Sequence, residues 1–167
     1  MANTDKPNGF RPAYGEVYHS PHKWTVAGSE AIAVGDVVHL NSDGRVAFAA
    51  AGQNGDLLGV AATAVTTAAT TATEIWVWDH PLQVFEGQYS GNGALTDPYT
   101  TRSSAACFAL AGTTGIHEIN ESSSTGDCFK IVGVGRDPAN GEVSAVGANQ
   151  RVKCRLNLAK HVFGTTA

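Results

Sequence analysis

The stretch Ile32-Ala33-Val34-Gly35-Asp36-Val37-Val38-His39-Leu40, followed by Asn41-Ser42-Asp43-Gly44-Arg45-Val46-Ala47-Phe48-Ala49 and, after Gln53-Asn54-Gly55-Asp56, by Leu57-Leu58-Gly59-Val60-Ala61 and on to Val65, decides the fold. Val34 to Leu40 is apolar and β-branched, which suits a pleated, half-buried strand. Asn41 to Gly44 supplies a turn in which Gly44 can take positive φ. Arg45 to Ala49 alternates, with Val46 and Phe48 on one face and Arg45, Ala47 and Ala49 on the other. Gln53 to Asp56 is a second turn, and Leu57 to Val65 returns as an apolar strand. Three consecutive antiparallel strands of this kind predict a β-meander, the start of a small barrel or sandwich. The stretch carries no nucleophile, acid pair or metal cluster, so it reads as scaffold.

The rest of the composition agrees. The chain has 167 residues, enough for one domain with a second lobe and a core that needs no staples. Nineteen Gly and 16% charged residues favour short strands and turns over helices. The predicted class is therefore all-β, a small barrel or sandwich. Its expected parts are an extended N-terminal arm over 1–31, a barrel core over 32–87, and a loop-rich second β lobe over 88–167 completing the same domain. A net charge of −4 argues against nucleic acid as the partner. The charge is uneven: residues 1–87 hold four Lys/Arg against nine Asp/Glu, and 88–167 hold seven against six. No apolar run approaches the length of a membrane span, and the first residues lack a signal pattern, so neither membrane nor export is expected. Cys107, Cys128 and Cys154 are odd in number without metal-ligand spacing, and are expected to be reduced, mostly buried thiols.

Along the chain, residues 1–31 are rich in breakers (Pro7, Gly9, Pro12, Gly15, Pro21, Gly28), as in an arm lying on another surface. Phe10, Tyr14, Tyr18 and Trp24 either tuck into the chain's own core or anchor a neighbouring subunit. His19 and His22 are a poor metal pair, because Pro21 prevents a helical spacing and two ligands are too few. Thr63 to Thr73 contains only Thr, Ala and Val and reads as strand followed by loop. Glu74 to Trp78 is a strong strand, with Trp76 and Trp78 on one face and Ile75 and Val77 on the other. Such a tryptophan pair either packs on a core or subunit or stacks on sugar. Residues 88–127 read as loops with one helical turn at 105–111, Cys128 to Val134 as a strand, and Asp137 to Gly141 as a turn. Finally, Arg151 to Leu158 alternates, with Val152, Cys154, Leu156 and Leu158 inward and Arg151, Lys153, Arg155 and Asn157 outward. That basic stripe is a solvated face, a guard on an edge strand, or a match for an acidic partner.

Motifs for chemistry are missing. There is no phosphate-cradling glycine loop and no serine elbow. His117 lies near Cys107 and Cys128 in sequence, but nothing in the spacing makes either thiol a nucleophile. Glu118 and Glu121, three apart in an expected loop, do not define an acid–base pair. No catalytic residue, metal or cofactor is expected.

Three segments nevertheless carry a resemblance. Ala2-Asn3-Thr4-Asp5-Lys6-Pro7-Asn8-Gly9-Phe10-Arg11-Pro12 is similar to the opening of structural proteins found beside phage major capsid proteins. The stretch with Gly35-Asp36-Val37-Val38 and Leu57-Leu58-Gly59-Val60 resembles the small barrel of lambda-type head-decoration proteins, which implies a β-tulip-like fold. Asp79-His80-Pro81, Val84-Phe85-Glu86, Phe129 to Gly133 and Val152 to Leu158 look like the same set. The chain thus resembles the capsid decoration, or cement, proteins of tailed bacteriophages. The resemblance implies a non-enzymatic virion protein made in the host bacterial cytoplasm. It would bind the outer capsid surface as a homo-oligomer, a trimer by preference, and staple major capsid protein subunits. It implies a capsid-contacting arm from Thr4 to Tyr14 (Thr4, Pro7, Phe10, Arg11, Pro12 and Tyr14). Trp76, Trp78, Arg151, Lys153 and Arg155 are the interface candidates on the β body. The alternative is a carbohydrate- or receptor-binding β-sandwich of a phage surface protein.

Overall fold

The structure is a computed structural model that describes residues 3, 5, 8–15, 19–50, 53, 55–70, 72–93, 101–102, 108–111, 116–120, 128–137 and 140–163. It is all-β, with 46% strand against 3% helix. In chain order the strands are β1 (Arg11–Pro12), β2 (His22–Thr25), β3 (Ala31–Ile32), β4 (Val37–Leu40), β5 (Val46–Phe48) and β6 (Leu57–Ala61). They continue as β7 (Val65–Thr66), β8 (Glu74–Trp78), β9 (Phe85–Gln88), β10 (Asn92–Gly93) and β11 (Thr101–Arg102). The last are β12 (Phe108–Ala111), β13 (Ile116–Ile119), β14 (Phe129–Val134), β15 (Gly147–Ala148) and β16 (Arg151–Leu156).

Two five-stranded antiparallel sheets dominate, in the orders β2-β8-β6-β4-β5 and β1-β9-β16-β14-β11. The first curls on itself: Val26, just past β2, bridges Val46 of β5 in parallel, and Ala27 N–H donates to Val46 O at 2.8 Å. Val26, Ile32, Val38, Val46, Leu58, Ala61, Ile75 and Val77 fill the interior of this barrel-like sheet. The second sheet lies on its outside. Phe85, Phe129, Ile131, Val152, Cys154 and Leu156 from that sheet meet Val37, Leu57, Val60 and Trp78 from the barrel in a second core.

Double cover explains why β6 is buried at all five positions and shows no polar alternation. A register shift between β4 and β6 at Val38/His39 lets residues three apart share a face. Leu57 and Val60 therefore face the outer core, while Leu58 and Ala61 face the barrel interior. Gly59 is required here, because a Cβ on it would lie 2.1 Å from Trp78 O.

The β4–β5 turn forms as expected: Gly44 has φ +76° and its N–H donates to Asn41 O at 2.9 Å. The meander does not. β4 lies between β5 and β6, so the three consecutive strands are not sequential neighbours in the sheet. The reason is that β6, apolar on both faces, takes a position covered on both sides, while β5 ends the sheet order. The Asp137 turn is present, closed by Gly141 N–H to Asp137 O and Asp137 N–H to Glu142 O, both 2.8 Å. The helical turn expected at 105–111 is not found where it can be described, since Phe108–Ala111 pairs with Ile116–Ile119 as β12–β13.

The largest departure concerns the N-terminal arm. Phe10 is 1% exposed and stacks on Phe129 at 4.8 Å between centroids. Its N–H donates to Gly35 O at 2.8 Å, β1 pairs with β9, and β2 is a strand of the barrel. Further out, the Asn3 side chain bonds Ala145 O, Ala148 O, Ala145 N–H and the Ser144 hydroxyl at 2.8–2.9 Å. The segment straps its own second sheet, because Phe10 gains more by filling the core than by staying in water.

Candidate functional site

The polar face of the second sheet gathers charge. Across β1, β9 and β16, Arg11, Glu86 and Lys153 lie side by side in register, and Arg151 lies opposite Gln88. Lys130 lies directly opposite Arg155. The tight turn after β14 adds Arg136 and Asp137. Arg11, Glu86, Arg136, Asp137, Gly141 and Arg151 together line a cleft of about 340 Å³. Arg136 donates to Gly141 O at 2.7 Å, which ties its guanidinium to the turn. Arg151 is 4% exposed and donates to Asn8 Oδ1 at 3.2 Å. Burial lowers its pKa, and the nearby Arg11 charge adds to that, partly offset by Glu86, Asp137 and Glu118. Arg11, by contrast, is exposed, and its guanidinium closes no hydrogen bond or ion pair among the described residues.

A second cleft, about 460 Å³, opens at the β2 side of the barrel, lined by His22, Lys23, Trp24, Asp79, His80, Pro81 and Phe163. Asp79 organises it. One carboxylate oxygen meets His22 Nδ1 at 2.8 Å and the other accepts from Trp24 Nε1 at 2.9 Å. Asp79 itself is 5% exposed. Trp24 and Phe163 have centroids 6.1 Å apart, and His161 lies behind Phe163 at 5.7 Å. His80 and His19 are in ring contact at 4.5 Å. The pKa of His80 is lowered by burial and by the His19 charge, and that of His161 chiefly by burial. Four of the six histidines thus gather here, yet no group of three or more His, Cys, Asp or Glu has a metal-holding arrangement among the described residues.

The other predicted residues are dispersed. Thr4 and Pro7 lie outside the described residues. Pro12 is half-buried in β1, and Tyr14 projects from the following turn at 96% exposure. Phe10 corrects the arm expectation: a side chain closed inside this chain has no surface left for a shell. Trp76 is 41% exposed, with Lys23 Nζ 5.4 Å from its ring centroid. Trp78, though on the same strand face, is partly buried against the outer core. Arg151 corrects the stripe, because Asn8 and the 135–144 turn cover it, whereas Lys153 and Arg155 are half-buried.

The cysteine and histidine readings also change. Cys128 is disulfide-bonded, which corrects the expectation of a reduced thiol there; Cys154 is free, and Cys107 lies outside the described residues. Burial raises the Cys154 pKa far above the ordinary thiol range, as does Glu86 to a lesser extent. His117 is a structural peg. Its Nε2 meets Ala49 O at 2.8 Å, its Nδ1 lies 3.1 Å from Val37 N and 3.3 Å from the buried Asp36 carboxylate, and the ring stacks on Phe48. Glu118 sits in β13 beside Gln88 rather than in a loop. Sequence reasoning missed Asp79, Trp24 and Phe163 as a cleft. No local spacing signals them, since Trp24 sits within β2 and Asp79 just past the end of β8.

Set against known proteins, the chain matches no family model and no curated protein sequence.

Proposed function

We propose that this protein is a structural virion component that binds the outer surface of a tailed-phage capsid and stabilises contacts between major capsid protein subunits. The observation that carries the reading is the edge of the second sheet. β1, only two residues long, is its terminal strand, and the turn beside it presents Tyr14 almost fully to solvent. Strand addition is not the mode there, because β1 is two residues long and Pro12 gives its outer edge no N–H to donate; the exposed aromatic beside it is the anchor. The disulfide at Cys128 accords with a protein that ends on a virion surface. The contact is made by the Tyr14 turn, and self-association as a trimer multiplies a modest contact on a symmetric lattice.

The test is co-sedimentation with purified expanded shells of the cognate phage. Wild-type protein pellets with shells, and Tyr14→Ala reduces the bound fraction without altering the unfolding midpoint. Wild-type protein that stays in the supernatant at every shell concentration refutes the reading. Light scattering at several concentrations tests the trimer.

A second reading is favoured by the 460 Å³ cleft, where Trp24 and Phe163 flank a polar His22–Asp79 pair. Aromatic faces beside fixed polar groups suit a sugar ring. Glycan-dependent quenching of tryptophan emission that Trp24→Phe weakens, with no binding to shells, selects it.

A further inference from the structure

We propose that the cleft between Arg11, Arg136 and Arg151 is a receptor for one carboxylate, an Asp or Glu side chain of a partner protein. The three guanidiniums come from three separate elements: an edge strand, the turn after β14, and the start of β16. Against them stand Glu86 and Asp137, so the lining carries a net charge of +1. A carboxylate brings the cleft to neutrality, whereas a phosphate dianion would overshoot it. Planar guanidinium forks match a carboxylate in bidentate fashion, and the surrounding burial strengthens such a pair relative to one in water. The volume is at the small end of the range of about 300–1,000 Å³ for ligand pockets, room for a side chain rather than a larger ligand.

The neighbourhood argues the same way. Six of the eleven Lys/Arg of an acidic chain (Arg11, Lys130, Arg136, Arg151, Lys153 and Arg155) are drawn to this one region. Lys130 and Arg155 are directly opposed across β14 and β16, and neither closes an ion pair among the described residues. Like charges placed opposite one another on a sheet are unfavourable in isolation and become favourable when an acidic surface covers them. That the carboxylate comes from the capsid protein rests on the function proposed above; the chemistry of the cleft does not.

The experiment titrates full-length protein with a capped Gly-Glu-Gly peptide, its Gly-Gln-Gly counterpart and inorganic phosphate, following the guanidinium Nε–H resonances of Arg11 and Arg136. The Glu peptide is expected to give saturable shifts that the Gln peptide does not. Arg136→Ala is expected to raise its Kd about tenfold or more, and Arg136→Lys, which keeps the charge but loses the fork, to recover only part. Equal shifts with both peptides, an unchanged Kd in Arg136→Ala, or tighter binding of phosphate overturns the proposal. In shell co-sedimentation, wild-type binding that Arg136→Ala leaves intact refutes the capsid carboxylate alone. Failure of wild-type protein to bind shells refutes the capsid reading while the peptide titration still decides the cleft.

Discussion

Replacing Phe10 by Ala separates a core strap from a free arm. Phe10 is 1% exposed, and its ring stacks on Phe129 at 4.8 Å with the planes 20° apart. The ring edge also covers Gly87, with Cε1 2.5 Å from where a Cβ on that glycine would stand. Truncating a buried Phe to Ala costs about 3–5 kcal/mol, through lost transfer energy and the cavity left behind. The aromatic pair accounts for about 0.5–1.5 kcal/mol of that. The hole would be walled by β9 and β14, interior strands of their sheet, so little collapse is available and the cost falls near 4 kcal/mol. For a chain of this length each kcal/mol lowers Tm by about 2–4 °C, which places the shift near 8–16 °C.

Urea unfolding followed by tryptophan emission and far-UV circular dichroism measures this directly. Tyr14→Ala is the control: four residues away but 96% exposed, it should move stability by no more than about 0.5 kcal/mol. The two variants are expected to divide cleanly, Phe10→Ala acting on stability and Tyr14→Ala on shell binding. A Phe10→Ala loss below about 1 kcal/mol with an unchanged m-value would mean that the segment is not part of the core, and the strap would have to be abandoned.

Three further outcomes follow from the same geometry. Gly59→Ala should destabilise by about 1–3 kcal/mol or more in urea unfolding, because its Cβ would strike the backbone of Trp78, which cannot rotate away. His161 has its pKa lowered from the ordinary 6.5 by burial, so below pH 6.5 the unfolded chain binds more protons than the folded one. Stability is therefore full above that pH and falls as the pH drops toward the folded-state value. A Tm profile from pH 7.5 to 5 should show the decline, and His161→Gln should flatten it. Cys154, buried and with its thiolate disfavoured, should resist a thiol-reactive disulfide reagent in the native protein and react once urea unfolds it; fast native labelling would contradict the packing.

What the sequence revealed and what it hid divides along the range of the interactions. The alternation in Glu74–Trp78 and Arg151–Leu156 is local, with a period of two, and places Ile75, Val77, Val152, Cys154 and Leu156 inward. The Gly44 and Gly141 turns are local too, and form. Strand order is different in kind. Whether β6 pairs with β5 or β4 depends on what covers its two faces, and the second cover comes from Phe10, well before it, and from residues spread between Phe85 and Leu156. The all-apolar run Leu57-Leu58-Gly59-Val60-Ala61 was the available sign, since a strand with one wet face would alternate. Breakers around Phe10 made a two-residue strand look like an arm, because β1 is too short to show any period. The Asp79 cleft joins residues 55 and 57 positions apart with Phe163 beyond them, which no spacing rule connects.

Arg151 shows how burial and charge combine to set the character of that face. Sequence alternation correctly put it on the polar side of β16, but the Ser144 hydroxyl accepts its backbone N–H at 2.8 Å and Asn8 accepts from its guanidinium. The turn after β14 and the N-terminal strap therefore close over a side chain that cannot give up its charge. A buried cation is costly unless it is paired, and pairing it here draws Asp137, Glu86 and Glu118 into its field. Arg11, at the rim, closes no ion pair among the described residues. The strap that removes Phe10 from any role at a shell is thus the same element that presents Arg11 and Tyr14 outward. Under the proposed function, folding the segment onto its own sheet places its contacts on the surface of a preorganised body, which loses less conformational entropy on binding than a free arm would.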